Sequence, residues 1–180
     1  MTRESASDTS FLTDIATLRA RARKQIEDGA LTDSYALDPA IAIELLNTAL
    51  ATELICVLRY RQHALMASGI DAEPVAAEFL VHSNEELGHA DLLAKRIVQL
   101  GGQPQMDPAG LSARSHAEYV VCDDLKQMIL ENLVAERIAI DSYRELIHFF
   151  GDNDSTTRVL LEGILATEEE HANELADLLT

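Results

Sequence analysis

Apolar residues recur along this chain at alternating steps of three and four, the spacing that aligns side chains on one face of an α-helix. Four of these stripes are long. The first passes through Ile43, Leu46, Leu50, Glu53, Val57, Tyr60 and Ala64, and the second through Val75, Phe79, His82, Glu86, His89, Leu93, Ile97 and Leu100. The third takes in Leu125, Ile129, Asn132, Glu136, Ile140, Tyr143 and Ile147, and the fourth Leu161, Ile164, Glu168, His171, Leu175 and Leu178. Punctuation sets their limits. Asp38 before Pro39 supplies an N-cap and a first-turn proline, while Gly69 and Asp71 end one helix and begin the next. The predicted helices cover about 39 to 68, about 72 to Leu100 with a stop at Gly101 and Gly102, near Cys122 or Asp123 to near Gly151, and from after Asp154 almost to Thr180. At 1.5 Å per residue each is roughly 40 Å long, a length suited to a bundle.

The links fix the order of packing. Those near 69 to 71 and 151 to 154 are short, so helices one and two are expected to be antiparallel, and likewise three and four. From Gly101 to about Val121 the link holds roughly 20 residues, enough at about 3.3 Å each to run the length of a helix. Such a crossover places helices two and three parallel, and a short helix over Pro108 to Tyr119 is expected within it. The expected fold is therefore all-α: a ferritin-like four-helix bundle over 38–180 with a long crossover, preceded by an N-terminal helical extension over 1–37. In that extension Phe11, Ile15, Leu18, Ala22 and Ile26 share one helical face, with Arg19, Arg21, Arg23 and Lys24 crowding the polar side. A helix docked on the bundle or on a neighbouring subunit explains it better than a basic nucleic-acid arm, because Glu27 and Asp28 share the stretch.

Composition supports the helical reading. Only 4% of the 180 residues are aromatic, there is no Trp, and eight Gly and four Pro are too few for the many tight turns of a β-sandwich or barrel. Thirty-one acidic against fourteen basic residues give a net charge of −17, which repels phosphate backbones and anionic lipid, so neither nucleic acid nor membrane is an expected partner. No apolar stretch approaches the roughly 20 residues that span a bilayer, and the start MTRESASDTS lacks the basic and apolar regions of a signal peptide. A cytoplasmic location is expected. Cys56 and Cys122 have no metal-type spacing and are expected to be reduced thiols.

Charged groups on apolar stripes are the informative exceptions. Stripes one and three each carry a lone mid-helix glutamate, Glu53 and Glu136, whereas stripes two and four each carry Glu-x-x-His, Glu86 with His89 and Glu168 with His171. The intervals match, Glu53 to Glu86 being 33 residues and Glu136 to Glu168 being 32. Between antiparallel neighbours this places all six groups at one depth, with an internal pseudo-twofold. Four carboxylates in a low-dielectric core carry a penalty of several kcal/mol per uncompensated charge, so something must neutralise them. Two divalent cations supply +4 against −4, and two neutral imidazoles give one nitrogen ligand to each metal. Residues i and i+3 face the same way on a helix, and oxygen-rich ligation with one imidazole per metal suits iron or manganese better than structural zinc. A lone core Glu or His is usually a satisfied structural group; two such motifs with two partner glutamates at matching intervals are not. The six residues are accordingly the candidate metal-ligating and catalytic set, with two iron ions per subunit expected and manganese or zinc as substitutes. His82, one turn before Glu86, is a candidate transient ligand or entry residue. Tyr60 and Tyr143 are candidates to hydrogen-bond the ligand carboxylates. His63, His116 and His148 have no supporting pattern, and Glu169 and Glu170 are assigned to the solvated side.

At these same six positions the sequence resembles bacterioferritin, within the ferritin-like superfamily, over roughly residues 39 to 180, with LLNTALATEL around Glu53 and EEEHANEL around His171 as further matches. The resemblance implies a ferroxidase centre in which Glu53 and His89 serve one iron, Glu136 and His171 the other, and Glu86 and Glu168 bridge. It further implies oxidation of Fe(II) by O2 or H2O2 and storage of the ferric product in a homo-oligomeric shell. Bacterioferritin's haem is held by a methionine inside the second helix's Glu-x-x-His, where this chain reads Glu86, Leu87, Gly88, His89, so no haem is expected. The chain reaches Thr180 without the fifth short helix of bacterioferritin, and in this it resembles the Dps-like mini-ferritins, favouring a 12-subunit over a 24-subunit shell. Typical Dps proteins place their iron site between subunits, whereas these ligands call for one within a single bundle. Dps members that bind DNA use basic tails, which argues against that activity here. The alternatives are a rubrerythrin-like peroxidase or dimanganese catalase without storage, and a non-catalytic bundle whose metal is structural.

Overall fold

The computed structural model describes residues 13–180, and the chain divides into two compact units between Tyr35 and Ala36. Among the described residues there are six α-helices and one 3-10 turn, with no strand.

In the first unit α1 spans Ile15–Arg21, capped by Asp14, whose carboxylate accepts from the Thr17 amide at 3.0 Å. The helical face expected from Phe11 to Ile26 is cut short. Gln25 adopts φ 46, in the left-handed region, and Ile26 sits beyond it in the 3-10 turn Ile26–Asp28, so the register of the stripe is lost after Ala22. Phe11 lies outside the described residues.

The second unit carries the four long helices. Helix α2 spans Pro39–Met66, with the Asp38 carboxylate accepting from the Ala40 amide at 2.9 Å and Pro39 in the first turn, as the sequence predicts. Helix α3 spans Ala72–Gln99. It ends in a Schellman motif: Gly102 N–H reaches the Ile97 carbonyl at 2.9 Å and Gly101 N–H the Val98 carbonyl at 3.0 Å, with Gly101 at φ 77. A Cβ on Gly102 would lie 2.8 Å from the Ile43 side chain, so a larger residue there would have to push that side chain aside. Helix α4 is the short Pro108–Arg114, α5 is Leu125–Phe150 and α6 is Ser155–Asp177. The α5–α6 corner turns at Gly151, φ 43, and Asp154 caps α6 through the Thr157 amide at 2.9 Å.

The crossover explains the topology. From Gln103 it runs along α2 toward that helix's C-terminal end, tied to a succession of α2 side chains. Asn47 bonds the Gln103 carbonyl and the Gln105 amide, Thr52 accepts from His116 N–H, Arg59 donates to the Glu118 carbonyl, and His63 meets the Val120 carbonyl. The helix expected over 108–119 therefore stops at Arg114, because the backbone groups beyond it are engaged by α2 instead of by one another. α5 consequently starts at the end where α3 starts. There, Val75 and Phe79 of α3 share an apolar cluster with Met128 and Ile129 of α5, Cys56 and Tyr60 of α2, and Leu175 of α6. Helices α3 and α5 are thus parallel, and each is antiparallel to its own hairpin partner.

Being covered on two sides, by the bundle and by the crossover, α2 is apolar almost all round. This corrects the expectation that no stretch approaches a membrane span: by length and composition α2 qualifies, but 61% of that stretch is buried within the protein. The inner stripes are otherwise buried through their middles, with Ile43, Ala64, Leu125 and Ile147 half-buried toward the helix ends and Leu178, beyond the last turn of α6, exposed.

At the opposite end a buried ion pair joins the hairpins. Arg96 of α3 donates from Nη2 to both Asp154 oxygens at 2.9 and 3.0 Å and from Nε to Thr157 Oγ1 at 2.7 Å. Removing the guanidinium takes this charge partner from a buried carboxylate that keeps its Thr157 hydrogen bonds, a loss of about 3–5 kcal/mol. Arg96→Leu should lower the denaturant midpoint of the metal-free protein accordingly, with an unchanged slope.

Candidate metal centre

The four long helices deliver their stripe-breaking residues to one depth. Glu53, Glu86, His89, Glu136, Glu168 and His171 are all buried, none more than 7% exposed. Within α3 the one-turn spacing sets His89 Nδ1 3.4 Å from Glu86 Oε2, and within α6 it sets His171 Nδ1 3.5 Å from Glu168 Oε2. Across helices His89 Nδ1 lies 3.0 Å from Glu168 Oε1 and 3.5 Å from Glu53 Oε2, and His171 Nδ1 lies 3.4 Å from Glu86 Oε1. The result is two overlapping groups, Glu53–Glu86–His89–Glu168 and Glu86–Glu136–Glu168–His171, each presenting ligand atoms within 4.8 Å of one another. Glu86 and Glu168 belong to both.

These atoms approach without hydrogen-bonding. Glu53 Oε2, Glu86 Oε1, both oxygens of Glu168 and Nδ1 of both histidines are buried with no hydrogen-bond partner among the described residues. Six orphaned polar atoms facing one small volume are expensive unless a cation satisfies them, and the donor set, carboxylate-rich with one nitrogen in each group, fits a pair of divalent ions.

The remaining polar atoms are held from behind. Tyr143 on α5 donates its hydroxyl to Glu53 Oε1 on α2, and Tyr60 on α2 donates to Glu136 Oε1 on α5. The two unshared glutamates are therefore braced crosswise by phenols seven residues beyond each other's position. His171 Nε2 meets Glu85 Oε2 at 2.8 Å, which turns its Nδ1 inward. Sequence reasoning missed Glu85, although its place directly before Glu86 puts it within reach of the neighbouring helix. His82, fully buried, stacks on His171 with ring centroids 4.0 Å apart and contacts Tyr60 and Glu174.

The other candidates fall elsewhere. His63 is buried, its Nδ1 at 3.1 Å from Asn132 Oδ1, which also accepts from Arg59 Nε; this trio anchors the crossover and had no signal beyond its α2 spacing. His116 and His148 are exposed, as are Glu169 and Glu170, and Glu169 pairs with Arg144. Cys56 and Cys122 are free and buried.

Electrostatics follows from crowding. Burial, then the charge of Glu86, pushes Glu53 up to about 8; burial, then the charges of Glu86 and Glu168, holds Glu136 well above the usual carboxylate range. Burial opposes charge on the imidazoles, but contact with Glu168, Glu53 and Glu86 outweighs it and raises His89 to about 12. Contact with Glu168 and Glu86 likewise overcomes burial and raises His171 to about 11. Burial and Glu168 press Glu86 upward, yet contacts with Glu53, His171 and His89 bring it below its ordinary value. Without metal, protons on two imidazoles and two carboxyls do the neutralising.

Residues 43–180 match the family model described as a ferritin-like domain. Among curated relatives, the chain is 32% identical over 139 residues to a bacterioferritin of Mycobacterium leprae, covering 77% of this chain and 82% of that one. It is 28% identical over 158 residues to a DNA protection during starvation protein of Pyrococcus furiosus, covering 83% of each. Among solved structures it is similar to the bacterioferritin-related protein of Bacteroides fragilis, described as a dodecameric thioferritin, with a TM-score of 0.76 and 36% identity over 79% of this chain and 86% of that one.

Because Glu53, Glu136, His89 and His171 hold their protons more tightly in the metal-free fold than in the unfolded chain, raising the pH removes their contribution to stability. Glu53 contributes this loss from about 4.5 to about 8, and the two histidines from about 6.5 upward toward 11 and 12. The Tm of metal-free protein should fall between pH 5 and 8, and saturating divalent metal, which replaces those protons, should flatten the dependence.

Proposed function

The chain belongs to the ferritin-like family, and from that premise we propose that it is a ferroxidase that binds two Fe(II) ions as substrate in its bundle, oxidises them with O2 or H2O2 and stores the ferric product in a shell of its own copies. The observation that carries this reading is the pair of overlapping ligand groups with Glu86 and Glu168 in common. Two dications balance four carboxylates, and each lobe then has one imidazole, one unshared glutamate and a share in two bridging ones.

Each side chain has a task within that reading. Glu86 and Glu168 join the two irons, so that two electrons, one from each, pass to a single oxidant: O2 with two protons becomes H2O2, or H2O2 with two protons becomes water. Glu53 with His89, and Glu136 with His171, complete the separate lobes. Tyr143 and Tyr60 hold one oxygen of each unshared glutamate and leave the other to the metal. Glu85 fixes the tautomer of His171 by accepting a hydrogen bond from Nε2–H, which keeps Nδ1 free as a ligand. The burial of all six keeps bulk water from competing for the ions.

Storage and a twelve-subunit assembly are supported by the bacterioferritin relative and by the dodecameric B. fragilis neighbour. The net charge of −17 suits attraction of cations rather than of DNA. The bundle over 38–180 is assigned the chemistry, residues 1–37 are assigned to an appendage, and the cytoplasm is the assigned compartment.

Glu86→Ala or Glu168→Ala removes a ligand from both lobes and should slow the initial oxidation of Fe(II) by at least ~100-fold in stopped-flow absorbance; unchanged initial rates would sink the assignment. Aerobic loading should carry assembled protein to hundreds of irons per shell, as read by light scattering with elemental analysis. A plateau near two per chain would indicate a peroxidase without storage. Anaerobic binding of two Fe(II) near pH 7 should release about four protons per chain, two from the imidazoles and two from the carboxyls of Glu53 and Glu136, as measured in weakly buffered solution.

A further inference from the structure

One set of ligand-type side chains stands outside the six. Glu78 and His82 lie one turn apart on α3, and Glu174 lies on α6 three residues after His171. His82 Nε2 is 2.9 Å from Glu174 Oε2 and 3.5 Å from Glu78 Oε1, and the three residues present ligand atoms within 4.8 Å of one another. His82 is fully buried, whereas the Glu78 and Glu174 side chains are 36% and 43% exposed. They line a surface cleft with Pro74, Asp177 and Leu178. Neither carboxylate has a lysine or arginine partner among the described residues.

The hydrogen-bond polarity of this set asks for a cation. The Tyr60 phenol has one proton and gives it to Glu136, so toward His82 Nδ1, 3.2 Å away, it acts as acceptor. Nδ1 therefore carries a proton, and Nε2 faces two carboxylate oxygens, those of Glu174 and Glu78. Two carboxylate oxygens converging on one buried nitrogen are stable around a positive charge, whether a proton on Nε2 or a metal ion in its place, and repel without it. On its inner side the same imidazole belongs to a further group with Glu136 and His171, again within 4.8 Å. His82 thus joins the surface cleft to the dinuclear centre.

Internal symmetry supplies a control. Adding 82 to the numbers of Glu86 and His89 gives Glu168 and His171; the same shift takes Glu78 to Leu160, His82 to Ile164, and Leu92 to Glu174. Around His89 the equivalent place is a groove lined by Leu92, Leu160 and Ile164 together with Arg96, Gln99 and two threonines, and no carboxylate lines it. The fold is satisfied there without a carboxylate, so the carboxylates beside His171 answer to something other than packing.

We propose that Glu78, His82 and Glu174 form a third divalent-cation site, a port that takes Fe(II) from the surface cleft and passes it to the His171 lobe of the dinuclear centre. The proposal rests on the ferroxidase reading of that centre. One imidazole nitrogen and two carboxylates ligate the ion, with the positions toward the cleft left to water, a weak and open set suited to transit.

The test is saturation of assembled, metal-free protein with Co(II), followed by elemental analysis and anomalous scattering at the cobalt edge. Three cobalt ions per chain are expected, the third among Glu78, His82 and Glu174. The double variant Glu78→Gln/Glu174→Gln should lose that one equivalent, retain the two in the core, and fill the core more slowly at limiting Fe(II). Two cobalt ions in the core of the parent protein with none at His82 overturns the port and leaves the dinuclear reading standing; so does a third ion that survives the double substitution. A core without cobalt overturns the dinuclear reading and the port with it.

Discussion

Mutual repulsion among four buried carboxylates is the constraint on which this protein turns. Glu53, Glu86, Glu136 and Glu168 sit at the middle of a helical bundle where desolvation alone penalises each charge by several kcal/mol. A fold bears that only if it is rigid enough to keep the groups from swinging out to water and if it closes around cations that cancel them. The protonation pattern makes the same point, since the metal-free core gathers protons on both histidines and on the two unshared glutamates. Protons and metal ions compete for one set of lone pairs.

Rigidity comes from the ends of the bundle and from the braces between hairpins. At one end an apolar cluster draws residues from all four long helices; at the other, the Arg96–Asp154 pair welds α3 to the cap of α6. Between them Tyr60 and Tyr143 reach across from α2 to α5 and back, each restraining the glutamate that the opposite helix contributes. These phenols satisfy one carboxylate oxygen and leave its twin unsatisfied, so the same bond that fixes geometry also preserves the demand for a cation. The crossover adds a third restraint, because α2 spends Thr52, Arg59 and His63 on binding its backbone.

The long helices, the cap at Asp38, the parallel crossover and the set of six could all be read from the sequence, because each depends on residues a few positions apart, on the length of a link or on a spacing repeated between hairpins. What could not be read depends on contacts distant in sequence. Glu85 matters only because α6 brings His171 beside it, and His63 only because the crossover lays Val120 against it. The crossover helix ended early for the same reason: local propensity over 115–119 lost to side chains of α2 that claim its backbone groups. In the N-terminal unit the helix expected from the stripe was not continuous, because a spacing pattern carries no signal for a left-handed residue such as Gln25.

Repetition gave the centre two equivalent lobes, and the surroundings then made them unequal. The ligand positions obey the pseudo-twofold, including the reciprocal tyrosines, as expected for groups that must balance two identical charges. Outside that shell the symmetry is abandoned. His171 is backed by Glu85, His82 and Glu174, and His89 by Leu92, Leu160 and Ile164. A dication approaching the first side meets the carboxylates of Glu78 and Glu174, whereas the groove on the second side, which His89 itself lines, presents none. Two lobes built to hold the same ion are therefore reached by different routes, and the direction of traffic through the bundle is set by residues that the centre itself does not need.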